Sequence, residues 1–378
     1  MNKIYLDNAA TTPMSEDVII AITNVMKNTF GNPSSTHQFG RTAKSLVETA
    51  RKSIAKHFNV TSSEIVFTAG GSEADNLILR NAVSHLGVQR IITSKIEHHA
   101  VLHTVDALKR DFNILVDFVD VSDKGVIDYK HLQHLLQQRN DKTLVSLMFV
   151  NNEIGNLLDI EKVSRLCIDN KALFHSDTVQ GIGHFKIDLQ KTPIDFIAAS
   201  AHKFHGPKGV GFAIIKKGFG IKPLLLGGEQ ERGARAGTEN VPNIIGMEVA
   251  LTSAINNLNL EKKYIYSLKM HFISQLKTHF KEIEFNGLSD IENESSYLIL
   301  NVRFQKEIPM LLFSLDLKGI AVSGGSACQS GSNKGSHVLN SILDTQEALK
   351  TSVRFSFSKY NTIEELDYVI AVLKELLK

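Results

Sequence analysis

Lys203 and Asp177 stand 26 residues apart, each just past a short apolar run, and together they could do carbonyl chemistry. A lysine amine forms a Schiff base with an aldehyde, and a carboxylate can pair with a protonated pyridine nitrogen; pyridoxal phosphate needs both. Ser200 and His202 precede the lysine, and Gln180 follows the aspartate by three residues. Ala69-Gly-Gly-Ser-Glu-Ala-Asp-Asn76 places small residues at a helix start, including Gly71 and Ser72, where backbone N–H groups and the helix dipole favour a phosphate. His98 follows another apolar run, where an imidazole can stack on a flat ring. Each feature alone has a plainer reading: Lys203 as a surface lysine, Asp177 and Ser72 as helix caps, His98 as a satisfied histidine at a helix start. Four clusters at the ends of four apolar runs fit one ligand better than they fit chance.

The two cysteines differ in context. Cys167 lies between Leu166 and Ile168 in a helical pattern and reads as a small buried hydrophobe, whereas Cys328 sits in Ser323-Gly-Gly-Ser-Ala-Cys-Gln-Ser-Gly-Ser332, which cannot pack a core. Cys328 therefore reads as an accessible, reactive thiol on a loop of about residues 323–336. Two cysteines make no disulfide framework, so a reducing, cytoplasmic setting is expected. The first residues lack the basic and apolar regions of a signal peptide, and no run of ~18 apolar residues occurs, so no membrane contact is expected. With 42 basic against 40 acidic residues the net charge is +2, which excludes a nucleic-acid reader working by bulk charge. His99 and His103 fall at i and i+4, but no complementary thiol or carboxylate motif closes a tetrahedral set, so no metal is expected.

These residues need a scaffold, and 378 residues allow two domains. From about residue 41 to 215, helical periodicity alternates with apolar runs at 65–68, 90–93, 114–119, 144–150, 172–175 and 196–199, the pattern of βα units in a mostly parallel sheet. Gly206-Pro-Lys-Gly209 signals a turn, so the run at 210–215 returns beside the strand before it and makes the sheet mixed. A long helical pattern over 243–283 bridges to a second region, with strands predicted at 297–302, 319–323 and 352–355 and helices near 309–315, after 336 and at 364–377.

Further motifs join these in one order: Tyr5-Leu-Asp-Asn-Ala-Ala-Thr-Thr-Pro13, Gly31-Asn-Pro-Ser-Ser-Thr-His37, Glu97-His98, Val150-Asn-Asn-Glu-Ile-Gly155, Ser200-Ala-His-Lys203, Arg232-Gly-Ala-Arg-Ala-Gly-Thr238, Gly325-Ser-Ala-Cys328 and Arg354-Phe-Ser356. With Asp177 and Gln180, the sequence resembles the cysteine desulfurases of the NifS/IscS type over nearly its whole length. That resemblance implies an α/β, aspartate-aminotransferase-like fold (fold type I). Its large domain (14–255) carries a mostly parallel seven-stranded sheet, and a smaller α+β domain (1–13 and 256–378) carries the cysteine loop. It implies pyridoxal 5′-phosphate as cofactor, with Lys203 as the Schiff-base lysine, Asp177 on the pyridine nitrogen, His98 over the ring, and Asn152 and Gln180 near its hydroxyl. The phosphate would be held by Gly71, Ser72, Ser200 and His202, and by Thr238 from the second subunit of a homodimer. Arg354 and Asn32 match the positions that grip the substrate carboxylate.

The implied reaction is removal of sulfur from L-cysteine. Lys203 acts as general base, Cys328 takes the sulfur as a persulfide, His98 moves the thiol proton, and L-alanine leaves. The sulfur would pass to an acceptor protein in iron–sulfur cluster assembly or tRNA thiolation. The rival readings are a selenocysteine lyase, an aminotransferase, for which Cys328 has no use, and a non-catalytic sulfur-carrier docking protein. Asn333-Lys-Gly335 departs from the Leu-Glu-Pro of many long-loop relatives, and the chain lacks the C-terminal extension with which some relatives dock a scaffold protein.

Overall fold

Successive side chains of a strand point to opposite faces, so a strand covered on both sides is apolar throughout. This computed structural model describes residues 3–324 and 335–377. The chain opens with β1 (Ile4–Tyr5), α1 (Glu16–Asn28) and α2 (Gln38–His57). It alternates through β2 (Ile65–Thr68), α3 (Gly71–Ser84), β3 (Arg90–Thr93), α4 (His99–Phe112), β4 (Leu115–Phe118), α5 (Tyr129–Gln137), β5 (Thr143–Ser146), α6 (Ile160–Asp169) and β6 (Leu173–Asp177). β7 (Phe196–Ser200) and β8 (Gly211–Ile215) form the expected antiparallel pair. Among the described residues these strands make one seven-stranded sheet in the order β2-β8-β7-β6-β5-β3-β4, with β8 reversed against the rest.

On β7, Ile197 and Ala199 enter one apolar layer and Phe196 and Ala198 the other; Phe212 and Ile214 of β8 oppose Ala213 and Ile215 in the same way. α3 and α4 cover the second layer, while α1, α2, α5 and α6 cover the first. The run predicted as a strand over 144–150 is regular only to Ser146. Leu147 and Phe149 still donate to the carbonyls of His175 and Asp177, but the Met148 N–H turns to the Glu97 carboxylate and breaks the ladder. All of these residues are buried, so hydrophobicity does not mark the break.

The second region follows α7 (Val241–His279) with β9 (Ile283–Phe285), β10 (Ile299–Phe304), α8 (Leu311–Leu317), β11 (Ile320–Ala321), α9 (His337–Ile342), α10 (Thr345–Ala348), β12 (Ser352–Ser356) and α11 (Ile363–Leu376). β9, β10 and β12 form an antiparallel sheet, and β11 pairs in parallel with β1. The start of α7, from Val241 to Leu251, packs into the first layer. Ile265, Leu268, Phe272 and Leu276 instead join a separate core with Ile4, Leu6 and strands β10 and β12. The helix predicted to reach 283 ends at His279, and the strand predicted over 297–302 begins two residues later at Ile299. Among the described residues no helix is long and apolar enough to cross a membrane.

Candidate active site

β2, β3, β5, β6 and β7 run the same way, so their carboxyl ends open on one edge of the sheet, where open α/β sheets take ligands. A cavity of about 560 Å³ lies there. Gly71 and Ser72 enter it after β2, His98 after β3, Asn152 beyond β5, Asp177 and Gln180 from β6, and Ser200, His202 and Lys203 from β7. Arg354 of β12 and Ala9, Ala10 and Thr11 also line it. Ten of the sequence-predicted residues thus line one space.

Three predicted residues stand apart. Thr238 is exposed and lines a smaller cavity of about 180 Å³ that shares Ala69 and Gly209 with the large one. Asn32 is exposed on the loop between α1 and α2, where its side-chain oxygen accepts from Ser34 N–H at 2.9 Å. Cys328 lies outside the described residues. On either side of that segment, Ser323 exchanges backbone hydrogen bonds with Arg354, and the His337 ring lies 2.9 Å from the Glu97 carbonyl. Cys167 is buried on α6, where burial raises its thiol pKa.

Inside the cavity, the Lys203 amine donates to the carbonyls of Ala9 at 2.6 Å and Ala10 at 2.9 Å. Asp177 ends β6 and accepts from Val179 N–H at 2.9 Å. Burial raises its pKa, while His98, that N–H and Lys203 pull it back. His98 caps α4 by accepting the Ala100 N–H at Nδ1, and burial lowers its pKa against the pull of Asp177. A neutral imidazole that accepts at Nδ1 carries its hydrogen on Nε2. Burial lowers His202 to about 4, and its Nδ1 lies 3.1 Å from Thr11 Oγ1. Arg354 is 1% exposed; Nη1 donates to Asn152 O at 2.7 Å, Nη2 to Asp7 Oδ1 at 2.8 Å, and Nε has no partner among the described residues.

The sequence profile of the class-V aminotransferases matches residues 4–369. The chain belongs to that family. Cysteine desulfurase IscS of Dictyoglomus turgidum is 39% identical over 381 residues, spanning 100% of this chain and 95% of its own. The putative cysteine desulfurase IscS 1 of Bacillus subtilis is 40% identical over 382 residues, spanning 100% and 99%. Among solved structures, a NifS-like protein superposes with a TM-score of 0.90 at 36% identity, covering 100% of this chain and 99% of its own. SspA, solved in complex with cysteine, gives 0.81 at 29% identity, covering 96% and 100%.

The class-V aminotransferases depend on pyridoxal phosphate, and the cavity fits that group. α3 starts at Gly71 behind Gly70, which has no side chain to cap the first helical N–H groups, so a phosphate oxygen suits them. The approach there is tight: a Cβ at Gly71 would come within 2.5 Å of Val179 Cγ2. Gly70 also has φ +152°, a conformation suited to glycine. Asp177, buried and raised, calls for a cationic partner such as a pyridinium.

Sequence reading gave no role to three groups that the structure brings to this site. Asp7 anchors Arg354, the carbonyls of Ala9 and Ala10 hold Lys203, and Asp75 lines the cavity beside Asp177. Asp7, Ala9 and Ala10 belong to a motif visible in the sequence. Nothing in its spacing tells which strand of the far end it meets.

Proposed function

We propose that the protein is a cysteine desulfurase that converts L-cysteine to L-alanine and keeps the sulfur as a persulfide on Cys328 for transfer to an acceptor protein. The observation that carries this reading is the meeting of Lys203, Asp177, His98 and Arg354 around one cavity, with Ser323 hydrogen-bonded to Arg354 five residues before Cys328. Relatives bearing the name cysteine desulfurase along the full chain support it.

In this reading Arg354 binds the substrate carboxylate, helped by Asn32, and Gly71, Ser72, Ser200 and His202 hold the cofactor phosphate. Gln180 and Asn152 bond near the ring hydroxyl, and Asp177 pairs with the ring nitrogen. Pyridoxal phosphate, when bound, supplies an electron sink for the pair left at the substrate Cα. The Lys203 amine takes the Cα proton and later returns one. The Cys328 thiolate attacks the substrate sulfur; the S–S bond forms as Cβ–S breaks, the electron pair stays with carbon, and protonation there completes alanine. His98 serves proton movement at Nε2.

The same reading includes a homodimer in which Thr238 serves the partner's phosphate site. It also includes a cytoplasmic setting and an acceptor in iron–sulfur cluster assembly or tRNA thiolation. We likewise propose a large domain of 14–255 and a small domain of 1–13 and 256–378, supported by the two separate apolar cores that share α7.

The test is absorbance of the purified protein with pyridoxal phosphate, then L-cysteine, with alanine and sulfide assayed under reducing conditions beside Cys328→Ala. Both proteins should change spectrum with cysteine, and Cys328→Ala should lose sulfide release. Equal alanine and sulfide from the variant would overturn the role of the thiol. A protein that takes up no cofactor would overturn the enzyme reading.

A further inference from the structure

Three carboxylates are buried at or behind the cavity: Asp75 on α3, Glu97 before α4 and Asp177 on β6. Two have evident partners. Glu97 Oε1 accepts from Ser94 Oγ at 2.7 Å and Met148 N–H at 3.1 Å, and Asp177 faces His98, Lys203 and the Val179 N–H. Asp75 differs. It lines the cavity beside Asp177, is 1% exposed, and its side chain makes no hydrogen bond among the described residues, Oδ1 being unpartnered there as Glu97 Oε2 also is. The polar atom facing it is His175 Nε2, 3.4 Å away and also without a hydrogen bond among the described residues. His175 is fully buried, its Nδ1 lies 2.9 Å from Ser146 Oγ, and it precedes Asp177 by two residues, so both side chains share one face of β6.

Two buried carboxylates lining one cavity do not both ionise when cations stand beside one of them alone. Lys203 and His98 act on Asp177; the groups acting on Asp75 are Asp177, which repels it, Glu97, which does so only once it ionises, and His175. Burial and those two carboxylates push Asp75 well up, while burial holds His175 down at about 3 and raises Glu97 to about 8. We propose that Asp75 is a positioning residue held in its acid form, its proton directed at His175 Nε2, so that the one full negative charge facing the pyridine nitrogen belongs to Asp177. His175 then accepts at Nε2 and donates from Nδ1 to Ser146, which fixes its tautomer. The consequence for the ring nitrogen rests on the pyridoxal-phosphate reading; the protonation of Asp75 does not.

The experiment begins on the cofactor-free protein. The infrared difference between wild type and Asp75→Asn at neutral pH should show loss of a carboxylic-acid carbonyl band; loss of carboxylate bands would overturn the proposal. If Asp75→Asn does not fold, ¹⁵N-histidine spectra of the wild type, assigned with His175→Gln, decide the matter. An unprotonated Nε2 on His175 supports the proposal and a protonated one overturns it. With pyridoxal phosphate bound, the pH midpoint of its absorbance band should be unmoved in Asp75→Asn, because a neutral group replaces a neutral group. Were Asp75 ionised, the change would remove an anion beside a cationic form and lower the midpoint by about one unit or more. A wild type that takes up no pyridoxal phosphate would refute the cofactor reading and leave the infrared and ¹⁵N results to judge Asp75.

Discussion

Arg354 is sealed from water, and its charge is answered at Nη2 by Asp7 and at Nη1 by the Asn152 carbonyl. A hydrogen bond to a charged group contributes about 1.5–3 kcal/mol. Asp7→Ala is expected to lower unfolding free energy by about that much, read from urea titrations. It should also raise KM for L-cysteine more than it lowers kcat, because the guanidinium loses the anchor that aims it. Wild-type stability and KM in that variant would remove Asp7 from the site. Arg354 was legible because an arginine in Arg354-Phe-Ser356 matches a family position; its partner was not. Asp7 lies 347 residues away, and an ion pair closed by segments from opposite ends of the chain leaves no periodicity to read.

Among the elements, α7 shows what periodicity reveals and what it hides. Its long helical pattern was plain, but Phe280 and Ile283 continue the apolar spacing past His279, so the three-residue strand β9 merged with it. The buried lysine on that helix was also hidden. Lys269 is 2% exposed and donates to Ser296 O at 2.7 Å and Ser295 Oγ at 3.2 Å, tying α7 to the turn before β10. Burial lowers it to about 7, partly offset by Asp290. Between that value and the ~10.4 of a free lysine, the unfolded chain binds a proton that the folded chain does not, so rising pH relieves the cost. Relative to Lys269→Met, the wild type should therefore gain about 1.4 kcal/mol per pH unit as pH climbs from 7 to 10. Urea midpoints for both proteins at pH 7.5 and 9.5 measure this. A difference that does not change with pH would mean that Lys269 keeps an ordinary pKa when folded.

For the whole molecule, the parallel strands explain why so much of the site was legible: each βα unit brings a loop residue to the same sheet edge, so strand-end residues converge without any knowledge of packing. Thr238 escapes that logic. Its segment is pinned to β2 within its own chain, since Glu231 accepts two bonds from the Arg51 guanidinium and one from Phe67 N–H, leaving Thr238 exposed on the far side of Ala69 and Gly209. A residue held there serves a phosphate only across the proposed dimer. Thr238→Ala should then weaken pyridoxal-phosphate binding about tenfold or more, the loss of one charge-assisted hydrogen bond. Lys203→Ala should abolish turnover. Co-refolded with an excess of Lys203→Ala, the Thr238→Ala chains enter mixed dimers, where an intact Lys203 meets an intact Thr238 from the partner at one site. Turnover at limiting cofactor should rise above that of either variant alone. If Thr238 acts within its own chain, both sites of every mixed dimer are damaged and mixing restores nothing.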